Sequence, residues 1–357
     1  MFIFAIKNKI ISLMVKSKRK KYSSIKAKTI YIVSFILVIL IYLFLFSSMS
    51  NTGNKKYIFI DSDDNIDSVY AKIEPISTKH AMFTFKVLAY ITSYKNRIRE
   101  GKYEISSRGA LLTFRNFFGG RQATISVTIR SVRTLKDLAN VLSNKLSFSR
   151  DKFLRTITSK DVCAKYGYTP KTIIAMFIPN TYEFYWNTSI TKFLDRMKKE
   201  NEEFWKDGRK DRAKEIGFTP TEIIILASIV DEETDDESEM PAIAGMYINR
   251  LHAKMPLQAD PTVKYALGKF DAHRIYHNWL SYDSPYNTYK YRGLPPGPIR
   301  IPSVSAIEAV LNYEHHDYMY MCAKEDFSGT HNFAKNYEEH KVNAKNYAKA
   351  LTGHGIK

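Results

Sequence analysis

Cysteine is nearly missing from this chain of 357 residues, with Cys163 and Cys322 its only two. They fall in unlike surroundings, with no CxxC and no lipobox-like cysteine after the apolar segment. A thiolate metal cage or a disulfide scaffold is therefore disfavoured, and a single bridge between the two is the lesser alternative. No His-Glu-x-x-His occurs, which removes the usual signature of a zinc hydrolase. Gly-x-Ser-x-Gly is also missing, and neither cysteine sits in a context suited to a Cys–His nucleophile. There is no internal repeat. Zinc-finger, RNP and helix-turn-helix patterns are missing too, which argues against nucleic acid despite the basic balance. The first 29 residues contain no acid at all, yet hold nine Lys or Arg.

That asymmetry carries half of the formal net charge of +18; the other 45 Lys and Arg against 36 Asp and Glu leave +9. A moderately basic body suits an anionic polymer or a membrane surface. The hydrophobic share of 45% and aromatic share of 13% predict folded structure, with room for two or three domains. The basic arm, residues 1–29, precedes IYIVSFILVILIYLFLF, Ile30 to Phe46, which as a helix is about 25 Å long at 1.5 Å per residue. With Ser47 to Met49 it reaches the length of a membrane span. A cleaved signal peptide is the rival, but its apolar region is normally shorter, and SSMSNTG is a poor cleavage site. Anchor is the preferred reading: residues 30–49 cross the membrane, the arm stays in the cytoplasm, and everything after about Asn51 lies outside.

Beyond a polar linker, YIFID (Tyr57–Asp61) reads as a strand, IDSVYAKI (Ile66–Ile73) and MFTFKVLAYI (Met82–Ile91) as helices, and GKYEI (Gly101–Ile105) as a strand. Together they predict a small module over residues 57–122. ATISVTIRS (Ala123–Ser131) alternates as a strand does. TLKDLANVLSNKL (Thr134–Leu146) places Leu135, Leu138, Val141 and Leu142 on one helical face. The fold class expected is α+β, with a larger mixed domain over residues 123–353.

GFTPTEIIILASIV has the clearest helix start. Thr219 is the N-cap, Pro220 sits at N1, Glu222 at N3 closes a capping box, and Phe218 and Ile223 can form a hydrophobic staple. Its body is apolar on every side, so it is a core helix. It runs into seven acids within nine positions, Asp231 to Glu239. Residues three and four apart share a helix face, so Glu233 projects from the wall of Val230 and Ile229. Burial there would raise its pKa and keep it protonated, as a general acid requires. Asp235, Asp236, Glu237 and Glu239 read as loop and helix-start charge, with Ser238 as N-cap of EMPAIAGMYINRL. On composition alone, all seven as solvated charge is the blander and commoner alternative.

LASIVDEET, INRL, LQADPTVKYALG (Leu257–Gly268), SPYNTYKYRGLPPGPI (Ser284–Ile299) and GTHNF with a later His340 follow one another in an order and spacing that resembles the endolytic murein transglycosylase family, the YceG-like lytic transglycosylases. The resemblance spans roughly Ala123 to Leu351. It also implies an anchor and a LysM-like module before the catalytic domain. The family motif, approximately ASIVEKET, places the catalytic acid on Glu233. Asp231 and Glu232 stand where the family has Glu and Lys, Ala259 where it has Thr or Ser, and Ser303 where it has Gly.

What the resemblance implies is non-hydrolytic cleavage of the β-1,4 bond between N-acetylmuramic acid and N-acetylglucosamine, with no metal and no cofactor. Asp231, Gln258, Asp260, Thr262, Tyr286, Asn287, Thr288, Tyr289 and His331 are the expected substrate-binding residues. LQADPT is expected to form a turn, where Asp260 either supports positive charge at the sugar C1 or only caps the turn. Aromatic faces of the Tyr286–Tyr289 cluster can stack on sugar rings or pack on the core. Peptidoglycan glycan strands, the membrane and peptidoglycan synthases are the expected partners. A non-catalytic peptidoglycan-binding or scaffold protein using the same groove remains the alternative.

Overall fold

A computed structural model describes residues 2–272 and 275–353; Met1 of the basic arm lies outside the described residues, as do the side chains of most of residues 2–25. The chain divides into two compact units, Met1–Thr124 and Ile125–Lys357. The architecture is mixed α+β.

In the first unit, α1 (Phe2–Phe46) is followed by β1 (Lys56–Ile60), α2 (Ile66–Ile73), α3 (Lys79–Ile91), β2 (Gly101–Ile105) and α4 (Ala110–Gly119). Among the described residues, α1 is the one helix long and apolar enough to cross a membrane, over Lys26–Phe46. β1 and β2 pair antiparallel, Lys56 opposite Ile105 and Ile60 opposite Gly101. Side chains that alternate inward along both strands join Val69, Phe85 and Phe117 in one core. α3 begins because Thr78 accepts the Ala81 N–H. α4 is an element the pattern reading passed over.

In the second unit, β3 (Thr124–Ile129) leads to α5 (Leu135–Ser143), α6 (Arg150–Ile157), α7 (Lys160–Lys165), β4 (Asn180–Tyr185), α8 (Ile190–Phe204) and α9 (Arg209–Ile216). Then come α10 (Pro220–Glu233), α11 (Met240–His252), α12 (Asp260–Leu267), α13 (Val304–Leu311), β5 (Tyr320–Ala323), β6 (His331–Ala334) and α14 (Tyr337–Gly353). β3 pairs with β4, and β5 with β6 antiparallel, Cys322 opposite Asn332. Cys163 and Cys322 are both free.

α10 is the axis of this unit. The Thr219–Glu222 capping box is present in both directions, with Pro220 in the first turn. Every residue from Ile223 to Asp231 is buried, so the helix sits inside the core formed with α11 and α13. Two local expectations are corrected. Glu239, not Ser238, occupies the N-cap position of α11, with no capping bond from its side chain, while Ser238 closes onto Asp236 Oδ1. LQADPT does not make a free turn, because Asp260 and Pro261 open α12, where a missing N–H costs nothing.

Gly245 on α11 is fixed by its neighbour: a Cβ there would lie 2.3 Å from the Glu314 carbonyl oxygen. Gly245→Ala must push α11 off the 314–316 segment, and we expect a loss of about 1–3 kcal/mol in chemical unfolding of the whole chain. An unchanged midpoint would show that the contact is soft.

Candidate active site

Glu233 is the last residue of α10, and what holds that helix end decides where its carboxyl points. The last turn of a helix leaves carbonyls without partners and carries partial negative charge. Arg300 answers both needs. Its guanidinium donates to the Asp231 carbonyl at 3.1 Å, pairs with the Asp231 carboxylate at 3.0 Å and reaches Glu232 Oε1 at 3.1 Å. Asp231 is buried and also accepts from Ser131 Oγ and Ser303 Oγ. Glu232 is held by a two-pronged contact with Arg133, at 2.8 and 3.1 Å. The backbone is tied as well, since Ser228 Oγ accepts the Ile299 N–H at 3.0 Å.

These contacts reassign two of the acids. The Asp231 carboxylate is engaged inside the protein and is not among the residues that line the cleft. Glu232 is neutralised by two arginines rather than acting as a bare anion beside Glu233.

Glu233 itself faces a cleft of about 410 Å³. Tyr247, fully buried on α11, donates its hydroxyl to Glu233 Oε1 at 2.5 Å. Burial pushes the Glu233 pKa from 4.5 up to about 7; the Tyr247 hydrogen bond opposes the rise, the Asp260 charge adds to it, and Lys264 and Arg250 oppose it. A carboxyl with that pKa is poised to hold its proton or release it near neutral pH.

Of the residues expected from sequence, the cleft gathers Glu233, Gln258, Asp260, Tyr289 and His331. Tyr289 donates its hydroxyl to Asp260 Oδ1 at 2.5 Å. His331 is fixed by Glu239, whose carboxylate accepts the His331 N–H at 2.6 Å and Nδ1 at 2.8 Å. The proton on that contact therefore sits at Nδ1, which leaves Nε2 as the free ring nitrogen. Glu239 is buried, so the expectation of a solvated helix-start charge is corrected there.

Thr262, Tyr286, Asn287 and Thr288 do not line the cleft; they build its wall. Thr262 and Thr288, both buried, share a hydroxyl contact of 2.8 Å, and Thr288 Oγ1 accepts the Ala259 N–H at 3.0 Å. Asn287 donates to the carbonyls of Leu280 and Tyr282. Tyr286 packs on Tyr265, ring centroids 4.9 Å apart. Gln258 holds a left-handed backbone with φ of 49°, its N–H bonded to the Thr288 carbonyl.

Residues not expected there from the sequence also line the cleft, among them Tyr247, Arg250, Tyr320, Cys322 and Tyr337. Asn249 and Arg250 of INRL bond the carbonyls of residues 316, 318 and 319 and so bring β5 to the site. Tyr247 had a legible signal, since it opens YINRL directly before that motif. Among the described residues, no group of three His, Cys, Asp or Glu is placed to hold a metal ion. His340 lines the cleft too, and burial lowers its pKa.

Comparison with known proteins bears on this geometry. The chain is 37% identical over 170 residues to the endolytic murein transglycosylase of Bacillus subtilis strain 168, covering 47% of this chain and 46% of that one. It is 31% identical over 197 residues to the protein of the same name from Streptococcus pneumoniae R6, covering 53% and 34%. The chain thus spans less than half the length of these relatives. A crystal structure of a yceG-like protein from Listeria monocytogenes superposes with a TM-score of 0.54 at 26% identity, over 81% of this chain and 99% of that one. The model of the YceG-like family matches residues 58–346, and the chain belongs to that family.

Proposed function

We propose that the chain is an endolytic peptidoglycan lytic transglycosylase whose single catalytic carboxyl is Glu233. The observation that carries the reading is a carboxyl with its pKa pushed up to about 7, at the end of a clamped helix and facing a polar cleft. The names of the relatives agree with it.

Protonated Glu233 donates its proton to the oxygen of the β-1,4 bond between N-acetylmuramic acid and N-acetylglucosamine. The C1–O bond breaks, and its electron pair leaves with the N-acetylglucosamine oxygen. The Glu233 carboxylate then removes the proton from the muramyl C6 hydroxyl as that oxygen bonds C1, giving a 1,6-anhydro end. Glu233 finishes protonated, and no water is consumed. This differs from hydrolysis by a pair of carboxylates, because the nucleophile is internal and proximity replaces a second catalytic group. Asp260, oriented by Tyr289, faces the positive charge that develops at C1. His331 Nε2 and Gln258 serve as hydrogen-bonding partners for sugar substituents.

The Lys26–Phe46 segment is the anchor in this reading, with the N-terminus in the cytoplasm and the catalytic unit outside. A tether of that kind limits cleavage to nascent strands near the bilayer. Residues 57–122 form the LysM-like module and residues 123–353 the catalytic domain, with peptidoglycan synthases as candidate partners.

Glu233→Gln should lower the formation of anhydro-ended muropeptides by at least about 10³-fold, the scale of general acid catalysis, with an unchanged circular dichroism spectrum. Mass spectrometry of digested sacculi reads the product, and undiminished anhydro ends would sink the assignment. Wild-type protein that binds sacculi and yields no anhydro ends would point instead to a non-catalytic binding protein.

Activity should fall as pH rises through about 7, where Glu233 loses its proton. Tyr247→Phe removes a contact that favours the charged carboxylate, so its alkaline limb should move to higher pH. Asp260→Asn removes a neighbouring anion and should move the limb to lower pH. Shifts in the same direction for both variants would contradict this electrostatic assignment.

Stability supplies an independent check. A carboxyl whose folded pKa lies above its unfolded value binds its proton more tightly in the fold. Its contribution is fully present below about pH 4.5 and is lost as pH rises through about 7. The thermal midpoint of Glu233→Gln relative to wild type should therefore be higher at pH 8 than at pH 4.5. A pH-independent difference would place the Glu233 pKa at its ordinary value.

A further inference from the structure

The first unit carries an apolar helix face that its own core does not use. α3 turns Phe85, Met82 and Ala89 inward, yet Phe83 is 61% exposed, Tyr90 87% and Ile91 70%. Phe83, Val87, Tyr90 and Ile91 follow at i, i+4, i+7 and i+8, so they form one stripe along the helix.

The direction of α3 gives that stripe a destination. At its start, the Thr78 N–H bonds the Met49 carbonyl, and Thr78 Oγ1 donates to the Ser48 carbonyl at 2.8 Å. A turn and a half later, Thr84 Oγ1 donates to the Phe44 carbonyl at 2.8 Å, and the Phe83 ring meets the Phe44 ring edge-on at 6.3 Å. As α3 advances from 78 to 84, its partners on the preceding chain therefore recede from 49 to 44. α3 runs back alongside the end of α1. Ile91 lies seven residues beyond Thr84, about 10 Å further along the helix at 1.5 Å per residue. The apolar helix it descends beside, Lys26–Phe46, has 21 residues and measures about 31 Å, the thickness of a bilayer core.

We propose that the C-terminal end of α3 is a second membrane contact, in which Tyr90 and Ile91 enter the outer interface of the bilayer beside the span. The partner is the lipid surface itself. The stripe meets the apolar surface of α1 at the contact between Phe44 and Phe83. Exposed Lys95 and Arg97 follow within one or two turns of chain, where cations meet lipid phosphates. Tyrosine with an apolar neighbour is the composition favoured at that depth. The contact would hold the module against the membrane rather than leave it swinging on a single helix. The inference rests on reading α1 as a span.

The test reconstitutes the full chain in vesicles of phosphatidylcholine and phosphatidylglycerol, with and without brominated acyl chains. Two variants are compared, each with wild type subtracted: Tyr90→Trp on α3 and Leu37→Trp in the span. Both added tryptophans should lose about half of their emission to the brominated lipid, as residues buried 5–10 Å into the headgroup–acyl boundary or deeper do. Quenching of Leu37→Trp alone would overturn the α3 contact and leave the span intact. Quenching of neither would remove the span and the inference together.

Discussion

The site depends on how the negative end of one buried helix is held. α10 ends in three consecutive acids, which is where the helix dipole makes carboxylates least welcome. Arg300 meets that cost by bonding both the terminal carbonyl of Asp231 and the carboxylates of Asp231 and Glu232. A buried pair of this kind is weak evidence of net stability, because desolvation offsets much of the attraction. Its value here is positional. With two of the three acids engaged, the third is left facing the cleft, and burial pushes its pKa up to about 7.

Three of the four departures from the motif that the sequence resembles fall in this arrangement. Asp231, Glu232 and Ser303 lie within one cluster: Ser303 donates to Asp231, and Glu232 takes Arg133 as well as Arg300. These residues are bound to one another and to two arginines. The groups that move the proton affinity of Glu233 are Tyr247, Asp260, Lys264 and Arg250, all outside that cluster.

How much of this was legible follows the range of the interactions. The start of α10 was readable to the residue, because Thr219, Pro220 and Glu222 act on one another within three positions. Helical phase pointed to Glu233, and the motif pointed to it more firmly. The roles of Asp231 and Glu232 were not readable, since Ser131, Arg133, Arg300 and Ser303 lie about 70 to 100 residues away in the chain. Glu239 looked like ordinary helix-start charge for the same reason: His331, the residue that uses it, is 92 positions on. LQADPT predicts a turn and forms a helix start, because Asp-Pro serves both equally well. Thr262, Asn287 and Thr288 carry no sequence signal for the internal bonds their polar atoms make, because the partners that matter are backbone groups and a threonine brought together by the fold.

The pairing of Thr262 with Thr288 has a thermodynamic meaning beyond shape. It joins the start of α12 to the 284–291 segment through hydroxyls that no solvent reaches, and Asp260 and Tyr289 project from those same two pieces. This wall of the cleft is ordered before any ligand arrives. A ligand that enters does not have to freeze a loop, so the entropy of ordering that usually erodes binding has already been spent in folding. A wall held in this way favours ligands whose shape already matches it.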